Sequence, residues 1–267
     1  MPDIEPSING EPTVVTQTSI GGKLLNMFVA PTEVFDEIKA SPNQAANWLA
    51  PVILSMIMGI IYTMVIYSQP QVLQNMRDAQ EKKMQEMVDK GKLTRQQADQ
   101  SLAVTEKIFS PGVMKTFGII AVLFFQAVFL VLCTTLLWLI GKFALKGPAE
   151  FLKCLEVMGL TTIVGIPDWI IRLLLGIIYA NPSMSPGPVL LVAGHFDPQN
   201  KWHMALAMMD VFLFWQIALW ALGLSRLTGK SFTKSLIWLL ICIGCIAGVI
   251  VGIVLMLSNM AEKLGGK

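Results

Sequence analysis

Charged residues are scarce in this sequence. Asp, Glu, Lys and Arg make up 14% of its 267 residues and apolar residues 54%, whereas soluble domains carry about 25% charged residues. Such a composition excludes an ordinary soluble globular domain and is typical of membrane proteins. Neither charge sign is in clear excess, because the formal net charge is only +2. A uniformly basic surface of the kind that binds nucleic acid is therefore excluded.

Cysteine and the short motifs of enzymes are also lacking. The four cysteines lie in or beside apolar runs, so a disulfide framework is not expected. Cys242 and Cys245 form a CxxC pattern, but zinc needs further ligands, and we interpret them as two small residues of a packed helix. The sequence holds no phosphate-binding loop, no dinucleotide-binding glycine pattern, no HExxH and no GxSxG. We therefore predict a protein that is not an enzyme and has no cofactor and no metal.

Long apolar runs are the main feature that is present. Five of them reach the roughly 20 residues that a helix needs to cross a bilayer core about 30 Å thick. Because lipid offers the backbone no hydrogen-bond partner, these runs must be helical. The sequence predicts an all-α polytopic transmembrane bundle in a membrane domain at 19–261, with five spans at Ala46–Tyr67, Phe117–Ile140, Leu155–Tyr179, Leu206–Leu224 and Leu236–Leu257.

The stretch before the first run divides into a tail and an amphipathic segment. Residues 1–18 lack the apolar core of a signal peptide and predict a disordered tail. Pro31 divides the following segment, Gly21–Ser41, and Thr32 is placed to cap a short helix after it. The segment predicts an interfacial helix that lies on the membrane, with an ordinary linker as the alternative. The apolar residues of this helix are Leu24, Leu25, Phe28, Phe35 and Ile38.

A long polar segment between the first two runs predicts an extramembrane helical hairpin at about residues 70–110. Gly91 is placed to end its first helix, and Thr94 with Gln97 has the spacing of a capping box for its second helix. Eight basic residues stand beside six acidic residues in 68–115. This balance argues against nucleic-acid binding, which needs uncompensated positive charge.

Basic residues in the short loops predict the orientation of the chain. Two loops, after the second and the fourth run, each contain three basic residues, whereas the loop after the third run contains only Lys201. A cytoplasmic N-terminus and an outside C-terminus follow. The eight basic residues of the hairpin argue the other way, but its acidic residues compensate them. The basic residues of the two loops are Lys142, Lys146, Lys153, Arg226, Lys230 and Lys234.

Two charged residues in the third run are the sharpest candidates for a functional site. Asp168 and Arg172 lie four residues apart and hence on one face of a helix. Pro167, directly before them, removes a backbone donor and can kink that helix. A charge inside a membrane is unfavourable and usually faces protein or water. We consider a structural ion pair first, and then a contact with a partner helix or an ion or proton pathway.

Small residues in the fifth run predict close helix packing. Gly244, Gly248 and Gly252 form a GxxxGxxxG pattern, and small residues at this spacing let two helices approach closely. Packing within the same chain is the first interpretation. A homo-oligomer is the second.

The loop between the third and fourth runs is irregular. His195, Asp197 and His203 have the side chains of metal ligands, but their loose spacing is weak evidence for a metal site. We interpret the loop as a cap on the outer end of the bundle. Trp202 lies where an aromatic anchor at the membrane surface is expected.

Three stretches, in order, carry a family resemblance. Ala30–Ile38 is an opening of the sP-x-x-x-F-x-x-I type, Gly141–Gly147 leads to Phe151, and Asp210–Trp215 leads to Gly223–Gly229. With the five runs they resemble the Yip-one domain family, five-span membrane proteins named for binding Ypt/Rab GTPases in eukaryotes. The resemblance covers about residues 19–260. It implies a cytoplasmic N-terminus and supplies no catalytic site.

The long hairpin looks more like bacterial members of that family, and bacteria lack the Rab partner. Such members often accompany macrolide-exporter-like ABC transporters, so the resemblance implies an ABC permease or a periplasmic adaptor as partner. We therefore expect a non-catalytic accessory or scaffold protein in a bacterial inner membrane, in contact with lipid and other membrane proteins. The alternatives are a small transporter or channel that uses Asp168 and Arg172, and a membrane-shaping factor that acts through Gly21–Ser41.

Overall fold

The computed structural model describes residues 18–265, and all side chains in that range except those at 250, 254, 255 and 257–265. The tail predicted at 1–18 lies outside the described residues apart from Thr18. Every regular element of the described chain is helical, and five helices are long and apolar enough to cross a membrane. The all-α fold with five membrane-spanning helices is thus confirmed. These helices are Ala45–Ile66, Pro111–Ala144, Phe151–Ile178, Val211–Thr228 and Phe232–Ile253.

Eleven α-helices follow one another in the described part of the chain. Their bounds are α1 Ile20–Val29, α2 Pro31–Ala40, α3 Ala45–Ile66, α4 Pro70–Asp89, α5 Arg95–Ile108, α6 Pro111–Leu139, α7 Phe151–Thr161, α8 Gly165–Ile178, α9 Lys201–Met208, α10 Val211–Thr228 and α11 Phe232–Gly265. The first span is α3, and the second is α6 with a π-helical end at Ile140–Ala144. The third span consists of α7 and α8, joined by a 3₁₀ turn at Thr162–Val164. The fourth and fifth spans are α10 and α11.

The core is centred on α7, with α3 and α10 both packed against it. Helix α3 packs against α6, α7 and α8, while α7 also packs against α10 and α2. At the crossing of α3 and α7, a Cβ on Gly159 would lie 2.3 Å from the Cα of Trp48, so only glycine permits this approach. The largest apolar side chains of the core include Phe35, Leu137, Met158, Leu160 and Leu224, all at most 1% exposed.

Two spans, α6 and α11, lie at the periphery of the bundle. In the most apolar 18-residue stretch of each span, 11% of the second and 6% of the fifth is buried, compared with 39% of the fourth. Helix α11 packs on α10 through its first turns, where Ser235 and Leu239 are fully buried. The faces that the bundle leaves open on these two helices must therefore contact lipid or other proteins.

Helices α4 and α5 form the predicted extramembrane hairpin, and both predicted caps are present. Gly91 adopts a φ of +68° after α4, and the amide of Lys92 donates to the carbonyl of Met87 at 2.9 Å, as in a Schellman motif. At the start of α5, the amide of Thr94 donates to Gln97 Oε1 at 2.9 Å, and the amide of Gln97 donates to Thr94 Oγ1 at 3.3 Å. The two caps fix the turn between the helices.

The start of the fourth span differs from the prediction. The apolar run begins at Leu206, but the chain leaves the helix at Met209, and α10 starts at Val211. Asp210 is the N-cap of α10, because its side chain accepts from the amide of Phe212. A capping side chain stops a helix from extending backwards, so Leu206 belongs to the separate short helix α9.

The N-terminal segment forms two short helices that fold back on each other at Ala30. Lys23 and Glu37 lie at the same sequence separation from Ala30, and an ion pair of 3.3 Å joins them. Helix α2 begins at Pro31 and has no side-chain cap, so the predicted capping role of Thr32 was wrong. Proline is already suited to the first helical position and needs no amide partner there.

Candidate functional site

The predicted polar pair lies on one face of α8. Arg172 Nε donates to Asp168 Oδ1 at 2.8 Å, and the two side chains are 27% and 20% exposed. The backbone nitrogen of Pro167 carries no hydrogen, so it cannot donate to a carbonyl one turn back. The chain forms a 3₁₀ turn at Thr162–Val164, directly before α8. The four-residue spacing brings the pair together as predicted, since residues four apart meet on a helix.

A third charged residue, Asp210, completes this site. Its Oδ2 accepts a hydrogen bond from Arg172 Nη2, and its Oδ1 accepts from the amide of Phe212 at 2.6 Å. The Asp210 side chain is only 3% exposed. We call Asp168, Arg172 and Asp210 the intramembrane triad. Asp210 lies near the start of the predicted fourth run, Leu206–Leu224, but the sequence did not indicate that it pairs with Arg172.

The triad lines a cavity of about 180 Å³ between α8 and α10. Apolar residues form much of the remaining wall, among them Val164, Met208 and Leu213. Arg172 therefore bridges two spans with its guanidinium and leaves room for a few water molecules beside it. Such an arrangement can hold two helices in register and can exchange protons with water, but it presents no nucleophile activated by a base.

A second buried polar cluster joins the N-terminal helices to the bundle. Lys23, only 1% exposed, donates from Nζ to Asn47 Oδ1 at 3.2 Å and pairs with Glu37. Asn47 Nδ2 in turn donates to Glu156 Oε2. We call Lys23, Glu37, Asn47, Glu156 and Lys153 the N-terminal polar cluster. It links α1, α2, α3 and α7 through charges that balance.

Lys153 and Glu156 form the α7 side of this cluster. Lys153 Nζ lies 3.6 Å from Glu156 Oε1 and donates to the carbonyl of Ser41 at 2.6 Å. From the sequence we counted Lys153 only as a loop charge that sets orientation, and we passed over Glu156 although this carboxylate lies in the third apolar run. The sequence does contain a signal for this pair, because Glu156 follows Lys153 by three residues in a stretch with few other charged residues.

The five apolar residues of the predicted interfacial helix differ in their burial. Phe35 and Ile38 are fully buried in the core, whereas Leu25 is 71% and Phe28 37% exposed. Leu24 is half-buried and packs against the core. The Phe28 ring contacts the Trp215 ring, with centroids 5.7 Å apart. Contact of the exposed face with lipid stays a prediction.

The glycine stripe Gly244, Gly248 and Gly252 faces open space. Within the described part of the chain, a Cβ built on any of the three would meet no atom within 4 Å. Our first interpretation, packing within the chain, is thus not what the structure shows. Cys245, which we expected to be packed, is exposed near the stripe, and Cys242 is half-buried.

His203 stabilises the loop between the third and fourth spans by accepting a hydrogen bond from its backbone. The amide of Asp197 donates to His203 Nδ1 at 2.9 Å, and the His195 ring packs edge-on against the His203 ring. Among the described residues, no group of three His, Cys, Asp or Glu side chains is arranged to ligate a metal. Trp202, the predicted anchor, is 79% exposed.

Comparison with known families matches residues 25–256 to the Yip1 domain. The chain belongs to the Yip1 domain family. No curated protein and no solved structure matches it. The Yip1 match includes the intramembrane triad, the glycine stripe and all of the N-terminal polar cluster except Lys23. As a Yip1 domain protein with five apolar spans, the chain is an integral membrane protein.

Proposed function

We propose that this protein is a non-catalytic scaffold in a membrane, an accessory subunit that holds other membrane proteins in place. The observation that carries the proposal is the open glycine stripe of α11. Glycine is a poor residue for lipid contact alone, since it buries little apolar surface and weakens a helix by about 1 kcal/mol. Three of them in register favour a face that another helix covers.

The resemblance to bacterial members of the family supports an export system as the assembly. An ABC permease would supply transmembrane helices to cover the stripe, and a periplasmic adaptor would reach the hairpin of α4 and α5. The hairpin offers an exposed surface of mixed charge with exposed apolar residues such as Val104, 57% exposed, and Ile108, 45% exposed. We place the protein in a bacterial inner membrane on the same grounds.

The proposed orientation has the N-terminus in the cytoplasm and the hairpin outside. Exposed Lys142, Lys146, Lys230 and Lys234 then lie together on the cytoplasmic side, as the positive-inside rule requires. Lys23 and Lys153 contribute less to this argument, because Glu37 and Glu156 pair with them.

The test is purification of the full chain from its native membrane in a mild detergent, with identification of the proteins that accompany it. Wild type should emerge in a complex that contains an ABC permease or its adaptor. Gly248→Leu should lose these partners, because the added side chain separates the helices. Ile246→Phe, which adds bulk on the opposite side of α11, is the matched control and should keep them. A wild-type protein that is always alone contradicts the proposal.

A further inference from the structure

The charges of the intramembrane triad do not balance. Among the described residues, Arg172 is the only cation within 4 Å of either carboxylate. Two ionised aspartates would therefore leave the triad with one uncompensated negative charge. The side chains of Asp168 and Asp210 are 20% and 3% exposed, so water screens this charge poorly. An unpaired charge inside a membrane domain is strongly unfavourable.

We propose that the triad is a proton-binding site, which holds one proton in the folded protein at neutral pH, and that Asp168 carries it. Two carboxylates close together share a proton because their like charges oppose full ionisation. With the proton bound, one guanidinium faces one carboxylate, and the triad is neutral. This inference does not depend on the proposed scaffold function.

The hydrogen bonds identify Asp168 as the carrier. Asp210 accepts from Arg172 and, as the N-cap of α10, from the amide of Phe212. Both carboxylate oxygens of Asp210 are thus already engaged as acceptors, Oδ2 by Arg172 and Oδ1 by the amide of Phe212. Asp168 accepts only from Arg172 Nε among the described residues, at Oδ1. Its Oδ2 is left to hold the proton.

Among the described residues that line the cavity, Arg172 is the only cation. Around the cavity, α9 contributes Met208, and α10 contributes Gln216 and apolar side chains beside Asp210. From α3, Tyr62 is the titratable neighbour of the pair, and its hydroxyl donates to the carbonyl of Pro182 at 3.0 Å. The cavity of about 180 Å³ and the 27% exposure of Arg172 let Asp168 exchange its proton with water.

Infrared difference spectroscopy on the full-length protein in lipid nanodiscs tests the proposal directly. Wild type should show the band of a protonated carboxylic acid at pH 7, shifted in heavy water. Asp168→Asn should lack the band because the carrier is gone. Asp210→Asn should also lack it, because Arg172 then has a single carboxylate to balance. Asp99→Asn, in the exposed face of the hairpin, should keep the band.

The pH dependence of unfolding gives a second readout. An unfolded aspartate releases its proton near pH 4, so above that pH the folded wild type binds one proton more than the unfolded chain. Stability must then fall as pH rises, until the site itself releases its proton. Relative to Asp168→Asn, the unfolding constant of wild type should rise about tenfold per pH unit in this range.

Either aspartate variant keeps the size of the side chain, and asparagine is also a good N-cap at position 210. If Asp168→Asn does not fold, comparison of the wild-type infrared band with Asp210→Asn still decides the matter. Absence of the band at pH 7 overturns the proposal, as does a band that neither variant removes. Stability that depends on sodium or potassium at constant pH, without the band, would assign the missing charge to a metal cation and also overturn it.

Discussion

Charged side chains are buried or half-buried at two places along the third span, and each place has partners from other helices. The N-terminal polar cluster lies at the α7 end and the intramembrane triad on α8. Removing one partner of a buried pair leaves the other without compensation, which destabilises a protein far more than loss of an exposed pair. The two clusters therefore hold α1, α2, α3, α7, α8 and α10 in their relative positions.

Glu156→Ala is expected to lower the free energy of unfolding by about 3–5 kcal/mol, because Lys153 would stay buried without its counter-ion and Asn47 Nδ2 without its acceptor. Equilibrium unfolding in mixed detergent micelles measures the change. The control is Lys90→Ala, which breaks a pair with Glu86 whose side chains are 64% and 40% exposed. This control should change stability by less than about 1 kcal/mol. Equal effects of the two substitutions would contradict our account of the cluster.

Contacts between residues close in the sequence could be predicted, whereas contacts between residues far apart in the sequence could not. Asp168 and Arg172 were predictable as a pair, since a helix brings residues four apart to one face. Arg172 and Asp210 are 38 residues apart, and Asn47 and Glu156 are 109 apart. These contacts depend on how whole helices pack, which no short pattern records.

Element boundaries follow from capping residues wherever the chain leaves the membrane. The turn of the hairpin was predictable from Gly91, Thr94 and Gln97 because caps act within a few residues. The start of α10 was not predictable, since the apolar run extends back to Leu206 while the helix starts only after Asp210. Apolar composition indicates which residues lie within the membrane, but it does not indicate where a capping residue interrupts a helix inside an apolar run.

Gly91→Ala should destabilise the hairpin turn by about 1–2 kcal/mol, because a Cβ is disfavoured at its φ of +68°. Hydrogen exchange on the full chain should show faster exchange in the last turn of α4 and little change in the core spans. Gly112→Ala, in the first turn of α6, is the control, since a Cβ there meets no atom within 4 Å. Slow exchange at the turn in both variants would contradict the assigned cap.

On the scale of the whole molecule, burial is uneven among the five spans. The core lies among α3, α7 and α10, while α6 and α11 present most of their apolar surface outward. The number of spans was predictable from length and hydropathy. Which spans are central was not, because a bundle interior is as apolar as its lipid-facing surface. The open stripe on α11 likewise appeared only when the helices were packed.

We propose that another membrane protein covers the glycine stripe of α11. Photocrosslinking in native membranes detects such a contact, with a photoreactive residue in place of Cys245 at the edge of the stripe or of Ile246 on the opposite side. We predict a discrete protein adduct from position 245 and lipid adducts alone from position 246. Lipid adducts alone from both positions would contradict the proposal.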